Sequence, residues 1–235
     1  MPASYTEYQP RKKSSQRSKL NKLLKNDDSL SPIVITGTGR KMAKTWWGQA
    51  WNQNLERYSD YANRLPRGRS YLRGGQVIDL QISKGKVTAM VLGNSLYFVE
   101  VKIKPVNKAN WQAIIQSCGN KIAGLEALAE GRFPEEFSEL FMAKGSGLFP
   151  APDELDFSCS CPDWAEMCKH VAAALYGVGA RLDEDPTLFF TMRDIPFEKL
   201  LKTTVEHKMR EMLKNAGQKT GRTITEEEAA DLFAL

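Results

Sequence analysis

Hydrophobic positions along the chain switch between two periods. Between residues 41 and 65, Trp47, Ala50, Trp51 and Leu55 recur at helical spacing, flanked by Trp46, Tyr58 and Tyr61, and predict an amphipathic helix. Aromatics on such a face can form core or stack on bases. After Pro66 the period shortens to two. Val77, Ile78, Leu80 and Ile82 predict one strand, Val87 to Leu92 a second and Leu96 to Ile103 a third. The turns fall at Ser83 to Lys86 and at Gly93-Asn94-Ser95, so the economical arrangement is an antiparallel meander. From Asn107 the helical period returns, with Trp111, Ile114, Ile115 and Cys118 on one face, then Ile122, Leu125, Leu128 and Ala129 on a second helix, and Pro134 in the first turn of a third. Val171, Leu175, Val178 and Leu182 mark the buried side of an Ala-rich helix, and Leu188 to Leu200 offers further packing residues. Val205, Met209, Met212 and Leu213 share a face of another helix, and Thr225 with Glu228 forms a capping box for a last one.

Charge changes this picture at the N-terminal end. The formal net charge of the 235 residues is only +5, but the first 44 hold ten Lys or Arg against three acids. Residues 1–40 are also poor in apolar side chains, which predicts a disordered basic arm with a short helix near Leu20 to Leu24. Such an arm suits a polyanion or is simply solvated. A second cationic stretch, RLPRGRSYLRGG, places Arg64, Arg67, Arg69 and Arg73 around Tyr71, either as a phosphate and base contact or as a solvated loop. No apolar run is long enough to cross a bilayer, and the cysteine pattern is not that of an extracellular disulfide scaffold, so a soluble cytoplasmic protein is expected.

Three of the four cysteines and one of the two histidines fall within FSCSCPDWAEMCKHV, as Cys159-x-Cys161, a six-residue spacer and Cys168-x-His170. Side chains two apart on a strand share a face, so Cys159 and Cys161 can deliver two sulfurs together. On a helix such residues diverge, so Cys168 is expected to precede the helix and His170 to lie in its first turn. Trp164 in the spacer is expected to cover the metal or dock on the core. Three thiolates and an imidazole complete a closed tetrahedral zinc site. A redox dithiol or a Cys-His nucleophile pair would leave part of this ligand set unexplained, and an iron-sulfur cluster usually takes four cysteines. With four protein ligands no position remains for a metal-bound water, and no Gly-rich phosphate loop or catalytic triad order stands out, so a non-enzymatic protein is expected. Cys118 reads as a core hydrophobe and His207 as a surface side chain.

CSCPDWAEMCKHVAAALY resembles the SWIM zinc-finger family, with its Cys-x-Cys, variable spacer and Cys-x-His. Many relatives have Pro before the third cysteine, where this chain has Met167. TWWGQAW from Thr45 and RGRSYLRGGQVIDL from Arg67 extend the resemblance to small bacterial SWIM proteins over roughly Met42 to Met192. The resemblance implies Zn2+, DNA-associated or protein-associated complexes and a link to Swi/Snf-type helicase-like ATPases, with no catalytic activity.

The expected architecture is therefore α+β: a basic arm over 1–40, an α+β domain with the meander over 41–148, a SWIM finger of β-hairpin and helix over 149–192, and C-terminal helices over 193–235. The expected function is nucleic-acid binding, DNA foremost, with Arg64, Arg67, Arg69, Arg73 and Lys169 as candidate contacts. The competing expectation is an adaptor that recruits a Swi/Snf-type ATPase or a recombination factor.

Overall fold

The computed structural model describes residues 13–35, 41–57, 63–112 and 147–195, with isolated positions between 138 and 143 and between 198 and 214. The meander forms with the expected boundaries: β1 (Val77–Ser83), β2 (Lys86–Leu92) and β3 (Leu96–Ile103). Leu80 lies opposite Ala89, and Val91 opposite Tyr97, in antiparallel register. Val77 and Ile78 are adjacent apolar residues and both are buried, which strict alternation forbids; the register shift between Val77 and Asp79 resolves the conflict.

The fourth strand comes from the metal-binding stretch. β4 (Leu155–Cys159) pairs antiparallel with β3, Ile103 facing Leu155 and Val99 facing Cys159, giving a sheet of order β1-β2-β3-β4. The finger thus does not close a hairpin of its own. Its strand finds a partner in β3, and the stretches drawn as 41–148 and 149–192 share one sheet and one core.

One face of that sheet is covered by a helix. Among the described residues, α1 (Lys13–Asn26), α2 (Trp46–Glu56) and α3 (Leu65–Arg73) precede the sheet, and α4 (Lys169–Glu184) and a short α5 (Leu188–Met192) follow it. α4 is the hub. The expected one-sided stripe of Val171, Leu175, Val178 and Leu182 understates it, because every residue from His170 to Ala180 is buried. Its small residues let neighbours approach from several sides, and a helix buried all round is what such packing produces. α2 and α4 touch where a Cβ on Gly48 would lie 2.6 Å from the Gly179 carbonyl oxygen. Trp51 Nε1 donates to the Leu175 carbonyl at 2.8 Å and Trp47 Nε1 to that of Leu182 at 2.8 Å. Asp183 closes the same contact by accepting from the Thr45 backbone N–H and hydroxyl at the start of α2.

RLPRGRSYLR is a helix and not a loop. Pro66 sits in its first turn, where the missing N–H costs nothing, and Gly68 allows the close approach that buries it. A Cβ at position 68 would lie 2.6 Å from Ala172 Cβ and 2.9 Å from the Ala173 nitrogen. These are backbone and near-backbone atoms that cannot step aside. Gly68→Ala is therefore expected to destabilise by about 1–3 kcal/mol, measured by urea unfolding. Were the site open, the same change would stabilise by about 1 kcal/mol through helix propensity, so the sign alone decides.

Residues 13–35 of the N-terminal stretch also hold more structure than their composition suggests. α1 encloses the expected helix near Leu20 to Leu24, and Leu20, Leu23 and Leu24 are half-buried. Ile33 is buried in the core and its N–H bonds the Val77 carbonyl at 3.1 Å, while the Leu80 N–H bonds the Ser31 carbonyl at 3.2 Å, so residues 31–33 line the β1 edge. Arg181 of α4 holds the same segment through Ser31. After α5, buried Arg193 donates to the Lys104 carbonyl at 2.7 Å and to Glu154 Oε1 at 2.9 Å, tying the end of β3 to the turn before β4. The helices expected over 113–137, Tyr58, Tyr61, Cys118, His207 and the capping box at Thr225 lie outside the described residues.

Candidate metal centre

β4 delivers the first sulfur, Cys159, at its last residue, whereas Cys161, expected on the same strand, lies in the bend that follows it. Leu155, Phe157 and Cys159 face α4, whereas Asp156, Ser158 and Ser160 face away. Ser160 N–H donates to the Phe98 carbonyl at 3.0 Å and its hydroxyl accepts from the Phe98 N–H, which anchors the residue between the two cysteines. Residues 160–167 then turn back without regular structure, and Met167 is fully buried and pins the end of the spacer. Cys168 is the N-cap of α4 and its sulfur accepts from the Val171 N–H at 3.5 Å. His170 follows in the first turn, as its spacing required.

These four residues converge. One ligand atom from each of Cys159, Cys161, Cys168 and His170 lies within 4.8 Å of all the others. His170 Nδ1 is 3.8 Å from both Cys159 Sγ and Cys168 Sγ. Ligands at ordinary zinc-sulfur and zinc-nitrogen lengths on tetrahedral corners stand about 3.6 Å apart. The donor set and its spacing therefore fit Zn2+ held through Nδ1.

Electrostatics divides the three sulfurs. Cys168 Sγ accepts the Val171 N–H, and the backbone at Cys161 and at Asp163 favours the charged forms of Cys159 and Cys161. Such bonds favour the thiolate a metal needs. The Cys168 thiol is pulled down to about 3, chiefly by a hydrogen bond from Cys159, with burial opposing and the His170 and Val171 groups assisting. Cys159, as the donor in that pair, is pushed up, and burial adds to the effect. Burial also raises Cys161.

The imidazole has a fitted seat that the sequence did not announce. Tyr97 stacks on His170 with ring centres 4.2 Å apart, and Tyr71 meets it edge-on at 5.3 Å. A Cβ on Gly93 would stand 3.1 Å from His170 Nε2 and 2.9 Å from the Tyr97 ring, so the second turn of the meander is glycine where the histidine needs space. The signal available was the aromatic at Tyr97 two residues after a Gly-Asn-Ser turn, which reads equally well as ordinary strand.

The cationic candidates do not share one surface. Arg64 pairs with Asp163 of the spacer at 3.1 Å. Arg69 points elsewhere, donating to Glu56 at 2.7 Å and to the Tyr176 hydroxyl at 2.7 Å. Lys169 Nζ sits over the Tyr71 ring at 5.7 Å. Arg67 and Arg73 are exposed. At about 100° per residue, Arg64, Arg67 and Tyr71 lie on one side of α3, and Arg69 and Arg73 on another. Trp164 neither covers the metal nor docks on the core; it is exposed.

A strand end, the bend after it and a helix N-terminus bring together one Cys3His set, the donor arrangement of a zinc finger. The chain carries a SWIM zinc finger: the family model of that name matches residues 147–178. Over 172 residues it is 38% identical to the uncharacterized protein Rv2102 of Mycobacterium tuberculosis, an alignment that takes in 72% of this chain and 62% of that protein. The chain thus spans less than two thirds of the length of the curated relative it matches. No solved structure matches it. Among the described residues no helix is long and apolar enough to cross a membrane.

Proposed function

We propose that this chain is a non-enzymatic, cytoplasmic nucleic-acid-binding protein, working within a helicase-associated complex, in which zinc fixes the geometry of a binding surface on α3 and the finger. The observation that carries the reading is the placement of α3. Its nine residues hold three arginines and no acid, Arg64 stands at its N-cap, and it packs on α4 through Gly68 and Ala172, only two residues beyond the ligand His170. Arg67 is exposed on the side that carries Arg64 and Tyr71, where Lys169 also lies. The four protein ligands support a structural role for the metal, because together they fill a tetrahedral sphere.

The test is binding of the zinc-loaded chain to labelled single-stranded and duplex DNA across a salt series. Affinity is expected to fall steeply with salt, and Arg67→Ala to weaken binding and reduce the salt slope by about one. No binding at low salt defeats the reading and leaves the finger as a protein-interaction module.

A further inference from the structure

Among the described residues Trp164 is the most exposed large apolar side chain, at 101 % of its reference area. Tryptophan is highly buried on average, so an indole wholly in water is unusual for the residue. The ring is presented by a fixed loop. Its neighbour Asp163 makes an ion pair with Arg64 and accepts from the Ala165 N–H at 3.3 Å. Three residues further on, buried Met167 and the ligand Cys168 anchor the other end.

The charges at this end of the molecule are mixed: Asp163, which Arg64 neutralises, and exposed Glu166 flank the ring, and two further cations stand beside them. Arg64 touches the residue beside Trp164, Arg67 is one turn along α3, and Lys169 follows the third metal ligand. With Asp163 held by Arg64, Lys169 and exposed Arg67 are the cations left to meet a ligand, and a flat apolar ring next to them matches one that carries flat apolar groups on a negatively charged thread. We propose that Trp164 is a stacking platform for an unpaired base, so that this surface takes single-stranded nucleic acid in preference to duplex. The strand's phosphates lie on Arg67 and Lys169. Every base has a face to stack, which makes the contact tolerant of sequence, whereas duplex bases have both faces occupied by their neighbours. This rests on the nucleic-acid reading above and deepens it.

The experiment compares the zinc-loaded wild-type chain with Trp164→Ala and Trp164→Phe, by fluorescence anisotropy on labelled oligo-dT and on a blunt mixed-sequence duplex of equal length. Zinc content is measured for each protein. Trp164→Ala is expected to weaken oligo-dT binding roughly tenfold, with zinc retained and duplex affinity little changed, and Trp164→Phe to keep most of the affinity. Equal oligo-dT affinity for wild type and a zinc-loaded Trp164→Ala overturns the proposal and assigns the ring to a protein partner. Equal losses on both probes overturn the preference for single strands. Failure of the wild type on both probes at low salt is a different outcome, since it removes the nucleic-acid reading itself.

Discussion

Cys168→Ala is expected to abolish stoichiometric zinc binding and to free residues 160–168 from the fold. The residue has two roles: it supplies a sulfur to the cluster and it caps the first turn of α4 by accepting the Val171 N–H. A structural zinc site contributes on the order of 10–16 kcal/mol of apparent binding free energy, spread over its ligands. Losing a ligand outright should exceed the roughly 10–100-fold loss that follows removal of a group that only orients one. The zinc-to-protein ratio after dialysis against a weak chelator reads the first effect, and amide exchange reads the second. α4 itself should persist, because it is buried from His170 to Ala180 against α2, α3 and the sheet, independently of the metal. Cys118→Ala, outside the ligand set, should leave zinc bound. A fully metallated Cys168→Ala protein of unchanged stability would sink the assignment.

Trp51→Ala should cost the most in global stability, about 3–5 kcal/mol. Its side chain has no exposed surface, sits against Phe149 and donates to a carbonyl in the middle of α4. Truncation opens a cavity at the α2–α4 contact and removes that hydrogen bond together. Denaturant unfolding followed by circular dichroism measures the loss, and zinc content at low denaturant should stay at one per chain. A loss below about 1 kcal/mol would mean that the contact relaxes around the gap and that Trp51 is not the keystone of this interface.

The ligands, their order along strand and helix, and the three-stranded meander were legible because each is a local pattern: alternation of two, turns of glycine and asparagine, and paired metal donors. What escaped is long-range. Nothing near β4 says that its partner is β3, and only the burial of Val99, Val101 and Ile103 makes that strand's edge worth covering. Arg193 looks like a surface cation until Glu154 and the Lys104 carbonyl meet it from two other elements. α3 was open to reading as loop because Pro66, Gly68, Gly74 and four arginines are weak helix evidence on their own. Its helix is selected by the contact with Ala172 that Gly68 permits. Trp164 ran opposite to expectation, since an indole beside a metal site suggests cover and this one faces water.

The pairing of β4 with β3 also says something about time. β1, β2 and β3 are joined by turns of a few residues, whereas roughly fifty residues separate Ile103 from Leu155. Neighbouring strands meet sooner than distant ones, because the chain between them has less entropy to lose before contact is made. The ligand-bearing strand is therefore expected to join the sheet last. On that order zinc would act at the end of folding, closing the sheet where the meander already offers β3 as a partner.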